Sequence, residues 1–185
     1  DTEKRTLSAK KAYEYIKNIT ENLLKKQDFN FIYKKVDSTL RGNIIEEIKA
    51  INEIYHPEVI IFAPAFPKLE RTTQNGVHKV KGIPILQTEF AKDPINPVQT
   101  DNIIEMLKKG FQEDVTYISL KTLYSLDNIK YDKEKYYTFD VETMEDIQKI
   151  AKLGLESNRK VLWIGSAGLI EGIFDILYPK KPSLG

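Results

Sequence analysis

A short unbroken run of apolar residues constrains the fold of this chain more than any other feature. The run lies in EVIIFAPAFP at positions 58–67, where prolines end it. A strand with one face in water alternates apolar and polar residues, whereas an unbroken run indicates that both faces are covered. Such strands belong to parallel sheets with helices packed on either side. We therefore expect a strand here in the interior of an α/β fold.

The other predicted elements alternate between strands and helices. Further strands are predicted at 30–36, 115–120, 135–141 and 160–165, and helices from Ser8 to about Lys26, from Gly42 to His56, over 101–110, from Thr143 onward and over 169–178. Lys108, Lys109 and Gly110 are expected to close the third helix. The segment GVHKVKGIPIL is typical of a hairpin that turns at Lys81 and Gly82. The pattern predicts a three-layer α/β sandwich with a largely parallel sheet plus a β-hairpin, while residues 122–135 carry no clear signal.

Charge and composition exclude several kinds of partner. The chain has 28 Lys and Arg against 27 Asp and Glu, so no global field attracts it to nucleic acid or to a membrane surface. It has no cysteine, which excludes disulfides and thiolate metal sites, and no apolar run approaches the roughly 20 residues that span a bilayer. His56 and His78 lack supporting ligands, so we predict no metal site. We expect a cytoplasmic protein with a small-molecule partner, and any anion would bind through a local cluster of charges.

The most polar strand end is KKVDSTLRGN at 34–43. Alternation along the strand places Lys35 and Asp37 on one face and Lys34 with Val36 on the other. Arg41 can hold a carboxylate through two parallel hydrogen bonds, and the following helix offers free backbone N–H groups. Together with the hydroxyls, these groups suit a small polyhydroxylated acid. Spacing alone leaves an alternative open, in which Asp37 or Ser38 caps the helix while the lysines reach solvent.

Two other strand ends carry weaker signals. In the segment 63–76 Arg71 follows a proline-stiffened stretch, and on its own this segment favours a structured loop. The loop Gly165–Leu169 is small enough for the backbone to approach a ligand, but it lacks the lysine of a Walker motif. Capping of the next helix by Ser166 is therefore the favoured interpretation of that loop.

Four motifs in a fixed order resemble a known family. They are YKKVDSTLRGN, APAFPKLERTTQNGV, TEFAKDPINPV and IGSAGL. Their sequence and order are similar to those of the four-carbon acid sugar kinase family. The opening DTEKR also resembles that family's DTESR segment, with Lys4 in place of serine. The resemblance extends from Asp1 to about Tyr178.

The resemblance implies an ATP-dependent kinase that phosphorylates threonate, erythronate or 3-oxo-tetronate. Family members have an N-terminal domain for the sugar acid and a C-terminal domain for ATP. Residues 1–178 would be the N-terminal substrate-binding domain, incomplete at its start, and residues 179–185 a linker towards an absent C-terminal ATP-binding domain. We expect ATP and Mg to serve the intact enzyme and not to bind this chain alone. The alternative function is a stand-alone, non-catalytic sugar-acid-binding module.

The same resemblance favours the site interpretation of residues 34–43. The predicted substrate-binding residues are Lys35, Ser38, Arg41, Asn43, Arg71, Arg5 and Ser166. In this hypothesis Lys35 and Arg41, with Arg5 or Arg71 nearby, neutralise the carboxylate of the sugar acid. The side chains of Asp37, Ser38 and Asn43 would bind its hydroxyls. Asp37 is the candidate catalytic residue, and an aspartate from a segment preceding Asp1 is the alternative base.

Overall fold

The computed structural model describes residues 8–26, 31–126 and 134–182 and has the predicted three-layer α/β architecture. The helices are α1 (Ala9–Lys26), α2 (Ile44–Tyr55), α3 (Ile103–Phe111), α4 (Leu120–Ser125), α5 (Met144–Leu155) and α6 (Ala167–Leu177). The strands are β1 (Ile32–Lys35), β2 (Val59–Ala63), β3 (Arg71–Gln74), β4 (Val77–Val80), β5 (Ile83–Pro84), β6 (Val115–Ile118), β7 (Tyr136–Phe139) and β8 (Val161–Gly165). Short 3-10 helices lie at Pro67–Leu69, Ile85–Gln87 and Glu89–Lys92.

The main sheet contains five parallel strands in the order β1-β8-β2-β7-β6. Every residue of β2 is buried, as the unbroken apolar run predicts. Ile60 and Phe62 belong to the apolar core beneath α1, α2 and α3, whereas Ile61 and Ala63 belong to the core beneath α4, α5 and α6. Helices therefore cover both faces, and the carboxyl ends of all five strands meet at one edge.

The antiparallel part of the fold contains one strand more than the sequence predicts. The order of this second sheet is β3-β4-β5, and the predicted turn at Lys81 and Gly82 joins β4 to β5. Asn75 and Gly76 form a second turn between β3 and β4, where both residues have positive φ. The carboxylate of Asp140, which follows β7, accepts the N–H groups of Asn75 and Gly76, each at 3.0 Å. This contact fixes the small sheet to the main sheet.

Helix ends follow local chemistry, with one correction. Thr143 and Asp146 form a capping box at the start of α5, as expected from the Thr143 signal. The prediction that Gly110 closes α3 is wrong, because the helix continues to Phe111 and Gln112 takes the left-handed conformation after it. Gly110 instead lets α3 approach α2, since a Cβ there would lie 2.8 Å from side-chain atoms of Ile45.

Residues 122–135, which carry no clear sequence signal, are described only in part. Residues 120–125 form α4, which Ser119 caps through a hydrogen bond from the Thr122 N–H. Residues 127–133 lie outside the described part of the chain. Among the helices that the structure describes, none combines the length and the apolar character that crossing a bilayer requires.

Candidate functional site

A cavity of about 430 Å³ lies at the carboxyl end of the main sheet, over β1 and β8. Its wall includes the end of β1, the loop before α2, the 3-10 helix Pro67–Leu69 and the start of α6. Five of the predicted site residues line it, namely Lys35, Asp37, Ser38, Arg41 and Ser166. The fold therefore brings together two strand ends that lie about 130 positions apart in the sequence.

The remaining predicted residues lie elsewhere. Asn43 occupies the position before α2, and its side chain makes no capping hydrogen bond. Arg71 begins β3 and does not line the cavity. Arg5 lies outside the described residues. The cavity thus contains the core of the predicted cluster without these three side chains.

The loop before α2 is organised by the carboxylate of Asp37. Its Oδ2 accepts the hydroxyl of Thr39 at 2.6 Å, the Nε–H of Arg41 at 2.7 Å and the backbone N–H of Arg41 at 3.3 Å. Leu40 has φ 61°, a left-handed conformation that costs a non-glycine residue about 1 kcal/mol. The Asp37 contacts offset that cost. Neither Asp37 nor Ser38 caps α2, so the capping alternative is wrong and Asp37 instead stabilises the shape of the loop.

The guanidinium of Arg41 contacts two carboxylates and an aromatic ring. Its Nε donates to Asp37, its Nη1 lies 3.4 Å from Asp93 Oδ2, and its guanidinium lies 5.3 Å from the ring centre of Phe90. The hydrogen bond to Asp37, together with the attraction of both carboxylates, raises the pKa of Arg41 above its usual value. Arg41 is therefore a permanent cation whose charge is already balanced by two carboxylates.

Two other cations near the loop have no acidic partner among the described residues. Lys35 is exposed at the cavity and forms no ion pair with the described acidic residues. The guanidinium of Arg71 lies 5.9 Å from the ring centre of Phe90, the same ring that Arg41 contacts. Its Nε is buried and has no hydrogen-bond partner in the part of the chain that the structure covers. Lys35 and Arg71 thus carry the positive charge that remains available to an anion.

A buried histidine stabilises the loop before α2 through a hydrogen bond to its backbone. His78 on β4 is fully buried, its Nε2 lies 2.6 Å from the carbonyl oxygen of Ser38, and its Nδ1 lies 3.1 Å from the Thr73 hydroxyl. A carbonyl oxygen only accepts, so Nε2 carries the proton and Nδ1 accepts from Thr73. Burial lowers the pKa of His78 to about 4, which keeps the ring neutral. The sequence was used only to judge His78 as a metal ligand, so its contact with Ser38 was not predicted. Alternation along β4 does indicate that His78 and Val80 share the buried face.

An ion pair in the cavity wall was also missed. Lys34 on β1 lies on the same face as Val36, as alternation predicts, and its ammonium is 2.6 Å from Glu47 Oε2 on α2. Both side chains line the cavity, with 14% and 8% of their surface exposed. In the capping alternative for residues 34–43, the lysines reach solvent. For Lys34 that expectation is wrong.

The loop between β8 and α6 is tightly packed. The Ser166 hydroxyl donates to the Ala65 carbonyl at 3.1 Å and accepts the Gly168 N–H at 3.3 Å, which confirms the predicted capping of the helix. A Cβ at Gly168 would lie 2.7 Å from the Ala65 oxygen, and a Cβ at Gly165 would lie 2.7 Å from the Tyr33 hydroxyl. These glycines allow the loop to pack closely against Tyr33 and Ala65.

Proteins with related sequences have named activities. The D-threonate kinase of Salmonella typhimurium is 30% identical over 181 residues, which cover 94% of this chain and 42% of that protein. The D-erythronate kinase of Heliobacterium modesticaldum is 27% identical over 188 residues, covering 97% and 43%. The 3-oxo-tetronate kinase of Brucella melitensis is 27% identical over 156 residues, covering 80% and 35%. The chain spans about two fifths of the length of the curated relatives it matches.

Solved structures share the fold. A domain of unknown function from Bordetella bronchiseptica, crystallised as a domain-swapped dimer with bound citrate, is 26% identical with a TM-score of 0.79, over 95% of this chain and 44% of that one. A Haemophilus influenzae protein is 18% identical with a TM-score of 0.76, over 98% of this chain and 46% of that one, and this likeness shows the fold alone.

A family described as the sugar-binding N-terminal domain matches residues 1–173, nearly the whole chain. The relatives named above are kinases of threonate, erythronate and 3-oxo-tetronate, which confirms the resemblance drawn from the four motifs. This chain belongs to the sugar-binding N-terminal domain family of the four-carbon acid sugar kinases.

Proposed function

We propose that this chain binds the sugar acid in an ATP-dependent kinase that phosphorylates threonate, erythronate or 3-oxo-tetronate. One observation carries the proposal, which is the cavity that joins Lys35, Asp37, Ser38 and Arg41 at the end of β1. Its volume of about 430 Å³ falls within the usual range for small-molecule sites. The names of the relatives, and the citrate in the Bordetella neighbour, agree with a hydroxylated acid as the ligand.

In this proposal Lys35, at the cavity, supplies the charge that attracts the carboxylate, and Arg71 adds positive charge from outside the cavity lining. Both lack an acidic partner among the described residues, whereas Arg41 already contacts Asp37 and Asp93. The Arg41 contact to Asp93 is long, at 3.4 Å, and a substrate carboxylate can replace it while the Asp37 contact keeps the guanidinium in place. Arg41 would then both shape the loop and bind the ligand.

The hydroxyls of the sugar acid would be bound by the same loop. Ser38 lines the cavity, and His78 holds its carbonyl oxygen from the opposite side. Asp37 accepts three hydrogen bonds, one of them from a guanidinium, and such contacts weaken a carboxylate as a base. A catalytic role for Asp37 stays a prediction, and its contacts favour a positioning role. The base would then come from another segment of the protein.

ATP and Mg would be held by the remainder of the protein. The Gly165–Leu169 loop lacks the lysine of a Walker motif. The relatives are more than twice as long as this chain, which supports a nucleotide-binding domain beyond residues 179–185. As a user of ATP, the protein is proposed to act in the cytoplasm.

Calorimetric titration tests the binding role. We expect the protein to bind D-threonate, D-erythronate or 3-oxo-tetronate, and to bind succinate, which lacks hydroxyls, at least tenfold more weakly. Lys35→Met should weaken binding of the preferred acid, whereas Lys25→Met at the exposed end of α1 should not. Equal affinity for all four acids would contradict the proposal.

A second measurement separates the kinase from the stand-alone binding module. The intact protein is incubated with ATP, Mg and the preferred acid, and release of ADP is followed. Turnover supports the kinase, whereas tight binding without turnover supports the stand-alone binding module. The module is possible because all residues that line the described cavity belong to this chain.

A further inference from the structure

The ion pair between Lys34 and Glu47 lies where packing alone favours apolar residues. The apolar core on this side of the sheet includes the buried side chains of Val36, next to β1, and of Ile44 and Ile48 on α2. Withdrawing two charges from water costs free energy that their attraction barely repays, and replacing such a pair by apolar residues is often neutral or stabilising. Stability therefore gives little reason for a charged pair at this position.

The pair retains hydrogen-bonding capacity next to the cavity. The Lys34 ammonium has three N–H bonds, of which one donates to the Lys35 carbonyl at 2.9 Å and another faces Glu47. The ammonium lies 2.6 Å from Glu47 Oε2, so that oxygen is paired by charge, but the contact lacks the direction of a hydrogen bond. Glu47 as a residue is only 6% exposed, so this is a buried carboxylate oxygen with hydrogen-bonding capacity left over.

The charge of the pair indicates which part of a ligand it suits. Lys34 and Glu47 sum to zero, so together they do not attract a carboxylate as Lys35 and Arg71 do. A hydroxyl, in contrast, both donates and accepts. A hydroxyl placed beside the pair, on its cavity side, donates to the carboxylate and accepts the remaining N–H of the ammonium.

We propose that the Lys34–Glu47 pair binds a hydroxyl of the sugar acid and so selects hydroxylated acids over plain carboxylic acids. This inference rests on the proposed sugar-acid site and adds its hydroxyl-recognising element. Loss of such a hydrogen bond to a charged group reduces affinity by about tenfold to a hundredfold.

The test compares two ligands that share a four-carbon chain and a carboxylate. D-threonate carries hydroxyls and butyrate carries none, and the affinity of each is measured on the intact protein by titration calorimetry or competition. In Glu47→Gln the affinity for threonate should fall at least tenfold, while the affinity for butyrate changes less than twofold. The double variant Lys34→Met with Glu47→Met should fold and show the same selective loss, because no charge is left unpaired.

A matched control lies on the same helix. Lys49 and Glu46 form an ion pair of the same composition at 3.6 Å, but both are partly exposed and neither lines this cavity. Glu46→Gln with Lys49→Met should leave both affinities unchanged. Thermal unfolding by circular dichroism verifies that each variant is folded.

The outcomes separate the inference from the proposed function. Wild-type protein that binds none of the hydroxylated four-carbon acids overturns the proposed function and the inference together. Wild-type binding with unchanged threonate affinity in the folded double variant overturns the inference alone. An equal loss for threonate and butyrate also overturns it, because the pair would then shape the whole site without recognising a hydroxyl.

Discussion

At the scale of single residues, the site before α2 is held by local contacts and by contacts between distant parts of the chain. The polar composition of residues 34–43 and the alternation along β1 indicate a site at that strand end. The Asp37–Arg41 contact is local, but both residues lie in a loop, where a four-residue spacing does not place side chains together as it does in a helix. The Lys34–Glu47 pair could not be predicted either, because it depends on how α2 lies against β1. The role of His78 is not predictable either, since the sequence does not show that the Ser38 carbonyl, 40 residues earlier, lies next to its ring.

Arg41→Ala tests the role of the guanidinium. Its removal leaves the Asp37 carboxylate without its 2.7 Å partner and leaves the Leu40 conformation less supported. We expect the affinity for the preferred tetronate to fall at least tenfold, with a modest loss of thermal stability. Arg41→Lys keeps the charge but loses the planar fork, so it should restore only part of the affinity. Near-wild-type affinity in the alanine variant would exclude Arg41 from the site.

The buried His78 makes the stability of the folded protein depend on pH. Its pKa is about 4 in the folded protein and about 6.5 in an unfolded chain, so the unfolded state binds more protons between these values. Stability is therefore fully present above pH 6.5 and falls as the pH drops towards 4. The loss should reach about 2 kcal/mol at pH 5, as measured by urea unfolding at pH 7 and pH 5.

Two variants identify the origin of that loss. His78→Gln removes the titrating group and should make the difference between the two pH values smaller by about that amount. His56→Gln, at an exposed position after α2, should leave the difference as in the wild type. A difference that persists in His78→Gln would assign the pH dependence to other groups.

At the scale of elements, the prediction was accurate where the determining signal is local. The apolar run of β2, the capping box of α5 and the turn at Lys81 and Gly82 are all encoded within a few residues, and the structure contains them. Strand β3 was not predicted, because its RTTQ sequence lacks a strand-like apolar pattern. It is held by pairing with β4 and by hydrogen bonds between Thr73 and Val141, which are far apart in the sequence.

Asp140→Ala tests the attachment of the small sheet. The change leaves the N–H groups of Asn75 and Gly76 without their acceptor, and for the buried Gly76 N–H an unsatisfied group costs about 1–3 kcal/mol. We expect a loss of that size in urea unfolding and faster amide exchange in β3 and β4. Glu142→Ala removes a single exposed hydrogen bond from Gln74 of the same hairpin and should cost much less. Equal effects of the two variants would contradict the anchoring role of Asp140.

At the scale of the whole molecule, β8 is the strand on which the sheet depends. It lies between β1 and β2 and pairs with both, and every one of its residues is buried. A chain that ends at Lys160 lacks β8 and α6, and we expect it to show no cooperative unfolding transition. A chain that ends at Tyr178 keeps both elements and should unfold like the full chain. A cooperative transition in the shorter chain would show that β1 and β2 do not need β8.

The position of β8 also determines when the site can form during synthesis. The loop that carries Lys35, Asp37 and Arg41 leaves the ribosome early, but β1 has its described sheet partner only in β8, about 130 residues later. Pairing of strands so distant in the chain is slow, because a long loop must close first. A nascent chain therefore carries its binding residues long before it has a cavity to place them in. If the proposed site is correct, newly made protein becomes able to bind a sugar acid only when the last strand of the sheet has been inserted between the first two.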